Sequence, residues 1–493
     1  MKRQRQDGFT LSNREVRNDI LIPRYYDPRI AADLDELNAD FELISLRELV
    51  HNGMLIHSHG DYIPKLFYGT GPFPYVRTSD FANWEIKASP KHGVPKAVFD
   101  EYAPEQHVSP HDILFVHEGT YLIGAVAMVT EFDPRILYQH HVAKFTVLPS
   151  APFNAFYLLV ALESPLVHRQ IRSKQFSADI IDSVVGRLEE VVIPFSKDQS
   201  KLDHVQRCAE EAVVGRAKLR EQIRHAVEAI DRWLRGDDGR QLDEILLWEP
   251  TSSEDRQTAF LGGRRGFSAT SLRNRDIIND VLLPRYYDPW VSETAEHYRG
   301  RCGIRSIGEL IHAGLIAIDT GDEIGRLNYG TGDIPFVRTS DFGSWELKRE
   351  SKQGVSQEVY ECWAKDQDVR AGDILLVRDG TYLVGTSVLV SEDDLPLLFC
   401  GGIYKLRCLE PDTLSPALLF ALLNTPFVQR QIRNKQFTRD VIDTLGGRIV
   451  ELQLTLPRNK VDAEKISAFF ATMLEKRTSY RTALHQLTEH LLD

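Results

Sequence analysis

No apolar run in this chain approaches the roughly 18 residues that a membrane span needs, and the charged start MKRQRQDGFT lacks the apolar stretch of a secretory signal. The expectation is a cytoplasmic protein with no membrane partner. The five cysteines (Cys208, Cys302, Cys362, Cys400, Cys408) include no close C-x-x-C pair, which argues against the common zinc patterns and fits reduced thiols. A Walker loop, a Gly-x-Gly-x-x-Gly turn, a His-Glu-x-x-His helix and the Asn/Asp-Pro-Pro-aromatic motif of adenine methyltransferases are all missing. ATP hydrolysis and methyl transfer are therefore not expected, and no cofactor or metal is implied. The net charge of −12 repels polyanions at long range, so any binding of nucleic acid must come from local basic patches.

What the chain does contain is itself, twice. YGTGPFPYVRTSDFANWEIK at 68–87 and YGTGDIPFVRTSDFGSWELK at 329–348 agree at fourteen of twenty positions, and Arg338 follows Arg77 by 261 residues. The same offset pairs IPRYYDP with LPRYYDP, HDILFVHEGTYLIG with GDILLVRDGTYLVG, and HRQIRSKQFSADIIDSVVGR with QRQIRNKQFTRDVIDTLGGR. One register runs from Pro23 to Arg187 without an insertion. At 493 residues the chain is too long for one core, and a period this long signals a duplicated domain rather than a solenoid.

Each copy reads as mixed α/β. Short β-branched and aromatic runs bounded by Gly, Pro and Asp predict strands, and APFNAFYLLVALESPLVHRQIRS has helical spacing that should break at Ser-Pro. Each copy then passes into a long helix. Leu219, Ile223, Ala226, Ile230 and Trp233 step by three and four, as do Ile466, Phe469, Met473, Tyr480 (one position skipped), Leu484, Leu487 and Leu491. These are seams for helix pairing. About thirty helical residues span roughly 45 Å.

The order of globular copy, long helix, globular copy, long helix resembles the specificity subunit of type I restriction-modification enzymes. The P-[FY]-V-R-T-S-D-F stretch, the D-I-L followed by Gly-Thr-Tyr-Leu, and the Ser/Thr-Pro helix leading to a final strand resemble that family's target-recognition domain. The resemblance implies an α+β fold: a tandem pseudo-twofold repeat of mixed α/β target-recognition domains, each followed by a long helix, the two helices pairing as an antiparallel coiled coil. It places domain 1 at 1–200, helix 1 at 201–236, a linker at 237–263, domain 2 at 264–458 and helix 2 at 459–493. It also implies a non-enzymatic reader of a two-part sequence in double-stranded DNA. Two adenine-N6 methyltransferase subunits would dock on it, and a restriction/translocase subunit is a further partner. The aromatic residue in SKQFSADIID and NKQFTRDVID departs from the small residues usual in the family's loop. Two copies this alike are expected to read similar half-sites, giving a nearly palindromic target.

Bases are read by side chains such as Arg, Lys, Asn and Gln, and phosphates are held by Lys, Arg, Ser and Thr. Arg172, Lys174 and Gln175, with Arg433, Lys435 and Gln436, follow a basic helix end and are candidate DNA contacts or a solvated helix face. Arg169 and Arg430 share those helices. Tyr68 and Thr70, with Tyr329 and Thr331, lie in a Gly-Thr-Gly turn that either lets backbone approach a phosphate or simply turns tightly. Arg77 and Arg338 precede an aspartate by three residues and either contact DNA or brace the turn. Tyr25, Tyr26 and Asp27, with their twins, are open between packing and DNA contact. Where the copies differ, Arg378 replaces His117 and is a candidate for guanine, while His140-His141 becomes Gly401-Gly402, which argues against a metal role.

Asp80 followed by Glu85-x-Lys87 superficially matches the acidic pattern of magnesium-dependent nucleases, but the segment is short and WEIK reads as an alternating strand. The alternative to a DNA reader is a protein-protein scaffold of a defence complex.

Overall fold

The computed structural model describes residues 20–88, 90–119, 122–178, 181–251, 281–298, 302–349, 351–380, 382–439 and 442–492, with isolated positions at 10, 16, 271, 273, 275, 277 and 278. It divides into two units. The first is formed chiefly by the chain up to Ala217 and from Tyr480 on, the second by Lys218–Thr251 and the chain from Arg265 to Ser479.

In the first unit an antiparallel sheet runs in the order Leu55–His59, Val142–Val147, Ile113–Val116, Val126–Met128. The strand ILFV is buried at every position, so it shows a continuous apolar run instead of alternation. A second sheet sets Phe73–Val76 between Leu137–Tyr138, parallel, and Gly93–Val94, antiparallel. Phe176–Ala178, Ile181–Ser183 and Glu118–Gly119 make a third, and Phe41–Ser45 pairs with Val192–Ser196.

The predicted helix break is present. Ala155–Glu163 stops at Ser164, whose ψ of 147° is extended, and Pro165–Lys174 begins with its proline in the first turn. Proline's ring excludes the preceding residue from helical geometry, and its fixed φ suits a helix start. WEIK, by contrast, is not one alternating strand. Asn83 and Trp84 have φ of 49° and 65°, turning Phe81–Ala82 back onto Glu85–Ile86. Positive φ at a bulky residue is unfavourable, so the buried ring of Trp84 and the cross-strand pairing hold this turn.

The second unit repeats the pattern. Ile316–Thr320, Ile403–Cys408, Ile374–Val377 and Ser387–Leu389 follow the same order. Ile334–Val337 lies between Gly354–Val355 and Leu398–Phe399, and Thr425 separates Pro416–Leu423 from Pro426–Lys435 as Ser164 does in the first copy.

The two long helices are Gln199–Arg235 and Lys460–Glu489. In the first unit Leu202, Ala209, Ala212 and Val213 share a core with Leu484 and Leu491. In the second, Ile223, Ala226, Ile230 and Leu234 share one with Ile466, Phe470 and Leu474. The expected Phe469 and Met473 are only partly buried at the side of that core, because a 3.6-residue helix drifts away from a strict 3.5 repeat and carries the seam to the next position. The position skipped in the second seam is Arg477. It is buried, as are Arg216, Arg220 and Arg481.

Candidate nucleic-acid interface

The RTSD turn is built around a buried aspartate. Asp80 accepts hydrogen bonds from the backbone N–H groups of Arg77 (2.9 Å) and Lys91 (3.1 Å). Burial pushes its carboxyl up, against the opposing effect of those bonds. Asp341 does the same with Arg338 and Lys352. The arginine therefore contributes its main chain to the aspartate, and the guanidinium goes elsewhere. In the first copy it donates to Gln139 Oε1 at 3.1 Å, meets His92 Nε2 at 3.3 Å and lies 5.7 Å from the Tyr68 ring centre. Arg338 lies 5.8 Å from the Tyr329 ring. This Tyr–Arg frame is half-buried in both copies.

The nuclease-like acids do not converge. Asp80 is held by backbone amides, whereas Glu85 meets Arg216 of the first long helix at 3.7 Å. The twin Glu346 meets Arg477 at 3.5 Å. Among the described residues no three His, Cys, Asp or Glu side chains are placed to hold a metal ion.

In the Gly-Thr-Gly turn, Thr70 Oγ1 donates to Phe67 O at 2.7 Å, and Thr331 Oγ1 donates to Asn328 O at 2.8 Å. A Cβ on Gly71 would lie 2.3 Å from Pro95 Cα, and one on Gly332 would lie 2.6 Å from Val355 O. The close approach these glycines permit is thus to the protein's own neighbouring strand. Leu66 and Leu327, just before the turn and each following a cation, stand out in solvent. Sequence reasoning passed over them, although an apolar residue repeated in a polar loop was there to be noticed.

The basic helix ends are tightly engaged. Lys174 Nζ is 3.1 Å from Glu190 and 4.8 Å from the Tyr25 ring centre, and Tyr25 donates its hydroxyl to the same Glu190. Burial pushes the Glu190 carboxyl up, but the hydrogen bonds from Tyr25 and Lys174 outweigh it and hold it below its ordinary value. Lys435, Glu451 and Tyr286 form the same trio, with Lys435 2.7 Å from Glu451. Gln175 Nε2 donates to Asp182 at 2.6 Å, and the main-chain carbonyls of Gln175 and Gln436 accept from Arg24 and Arg285. Arg172 and Arg433 are exposed. Arg169 pairs with Asp33, and Arg430 forms a two-pronged contact with Asp288. The departing aromatics of the KQF turns, Phe176 and Phe437, are covered by Arg187 at 3.9 Å and Arg448 at 3.8 Å.

Next to the Tyr–Arg frame, the first copy carries a histidine cluster of which the sequence singled out His117 and the His140-His141 pair but not His57 and His59. His59 Nδ1 is 3.4 Å from His117 Nε2, and the His57 and His59 rings are 4.7 Å apart. His141 bonds Glu118 at 2.7 Å, and His140 lies against Tyr62 with 5.5 Å between ring centres. Burial first, and the neighbouring His59 second, lower His57 and His117 to about 4. In the second copy Arg378 takes the place of His117. It is held by Asp379 at 2.7 Å, 5.7 Å from the Tyr404 ring. The difference between the copies marked His117 and His140-His141 in the sequence, and His57 and His59, which become Ile318 and Thr320, carried the same signal.

No protein-family model and no curated protein matches the chain. Among solved structures it is similar to the type I restriction-modification S subunit from M. genitalium, at 13% identity over 92% of this chain and 94% of that one, with a TM-score of 0.31. It is similar to the HsdS subunit from Thermoanaerobacter tengcongensis at 14% identity over 92% and 96%, with a TM-score of 0.25. A chain from a study of complex assembly and conformational transition in the type I R-M system matches at 13% identity over 92% and 97%, with a TM-score of 0.26.

Proposed function

We propose that this chain is the sequence-specific DNA-binding specificity subunit of a type I-like restriction-modification or antiphage complex, and is not itself an enzyme. Each copy holds one half of a bipartite site in double-stranded DNA. The long helices set the gap and dock two adenine-N6 methyltransferase subunits, and a restriction/translocase subunit is a further candidate partner. The observation that carries the reading is the repetition, residue for residue, of the Tyr68–Arg77 and Lys174–Tyr25–Glu190 frames at Tyr329–Arg338 and Lys435–Tyr286–Glu451. A reader of two half-sites needs the same frame twice. The motif order noted in the sequence points the same way. Arg172 and Arg433, exposed at the helix ends, suit phosphate contacts.

A scaffold is the second reading, favoured by the glutamates that already neutralise Lys174 and Lys435. Selection of duplexes from a randomised library, repeated across salt concentrations, separates the two. A DNA reader enriches one bipartite sequence with strongly salt-dependent affinity, whereas equal weak binding to every duplex overturns the proposal.

A further inference from the structure

We infer that Leu66 and Leu327 are wedges, one in each copy, that enter between two neighbouring base pairs from the minor groove, with Lys65 and Arg326 on the phosphate beside the opened step. This deepens the DNA-reading proposal and rests on it.

The segment concerned is short. Tyr-Ile-Pro-Lys-Leu-Phe at 62–67 corresponds to Glu-Ile-Gly-Arg-Leu-Asn at 323–328. Tyr62, Pro64 and Phe67 give way to Glu323, Gly325 and Asn328, so what the two versions share is an isoleucine, a cation and a leucine. The isoleucine has a reason in the fold: Ile63 and Ile324 are buried, each within an apolar cluster of its own copy. The leucine does not. Leu66 is 71% exposed and Leu327 95%, so each leaves apolar surface in water, which is unfavourable.

Both leucines are firmly mounted. Each is the middle residue of a single 3-10 turn, Lys65–Phe67 or Arg326–Asn328. Main-chain N–H groups close these turns: Phe67 donates to Pro64 O at 3.0 Å and Tyr68 to Lys65 O at 3.1 Å, while Asn328 donates to Gly325 O at 3.1 Å and Tyr329 to Arg326 O at 3.3 Å. The buried isoleucine pins each turn on one side, and the tyrosine of the Tyr–Arg frame pins it on the other. Ring centres are 5.5 Å apart for Tyr68 and Tyr75 and 5.3 Å for Tyr329 and Phe336. A leucine held on such a turn loses little freedom when it is inserted.

The surroundings of the leucines point to what they meet. Lys65 and Arg326 are exposed just before them, and in the second copy Glu323, Gly325 and Gly330 are the other exposed residues of the loop, so the apolar surface there is one side chain wide. A stable protein contact needs roughly 800 Å² on each partner, far more than a single leucine supplies. A base step takes a single apolar side chain. Leucine is among the residues that part stacked bases from the minor groove, and an adjoining cation suits the phosphate. One such pair in each copy matches a reader with one half-site per copy.

The test uses the full chain and the duplex it enriches from a randomised library, labelled in turn with 2-aminopurine at each adenine and pyrrolocytosine at each cytosine, bases that brighten on unstacking. The unaltered chain should brighten one step in each half of the site. Leu66→Ala should abolish one signal and Leu327→Ala the other, each with about tenfold weaker binding. Leu66→Met, which keeps a wedge-forming side chain, should retain the signal. Both leucines are exposed, so the variants should unfold at the temperature of the unaltered chain. Brightening at no step, or brightening that survives either alanine substitution, overturns the inference and leaves DNA reading standing. Enrichment of no duplex overturns both.

Discussion

Arg477 and Glu346 lie 3.5 Å apart with side chains 1% and 7% exposed, an ion pair taken almost wholly out of water. Arg216 and Glu85 repeat it in the first copy at 3.7 Å. Removing one partner of such a pair strands a buried charge, whereas replacing both with apolar groups of similar size does not. Glu346→Ala should therefore lower stability by about 3–5 kcal/mol, and Glu346→Leu with Arg477→Met should cost less than either single change. Urea unfolding measures both. A neutral Glu346→Ala would mean the pair carries no weight.

Gly71→Ala should destabilise by about 1–3 kcal/mol, the usual cost of overpacking, since its Cβ would meet Pro95 Cα at 2.3 Å. Gly69→Ala has open space but a φ of 71°, and should cost about 1 kcal/mol. Thermal unfolding beside a DNA-binding assay decides the role of the turn. Weakened binding at unchanged stability would restore the phosphate-approach reading.

Lys174→Ala tests whether a lysine held by Glu190 also serves DNA. If it does, binding should weaken across all sequences and the salt slope should fall by about one. An unchanged slope would confine Lys174 to bracing Tyr25 and Glu190.

Acid should weaken the first copy through its histidines. His57 and His117 sit at about 4 in the folded protein, below the roughly 6.5 of an unfolded chain. The unfolded state then binds more protons between those values, so stability is full above about pH 6.5 and falls as pH drops toward 4. His57→Ile, which imports the second copy's Ile318, should flatten that decline. Denaturation midpoints across the range would show it, and an identical slope in the variant would rule His57 out as a cause.

The duplication, the Ser164-Pro165 break and the strand-rich middle of each copy were legible because backbone restrictions and apolar runs act locally. The buried arginines were not. Arg216 and Arg477 look like ordinary solvated helix residues in sequence, and only the long-range meeting with Glu85 and Glu346 makes them interior. Lys174 misleads in the opposite direction, as a basic helix end whose charge is answered by a glutamate sixteen positions on. For the candidate site, the motifs located the frame, but the side chains beside it came together only through strands distant in sequence.

The Tyr–Arg frame recurs 261 residues apart without a gap in the intervening turn and strand pattern. Variation between the copies there has come by exchanging side chains on a backbone of constant length, not by growing loops. For the face around Arg77, the chain thus holds within itself two sets of side chains that one backbone pattern accommodates, so that exchanging single positions between the copies should leave the fold of each intact.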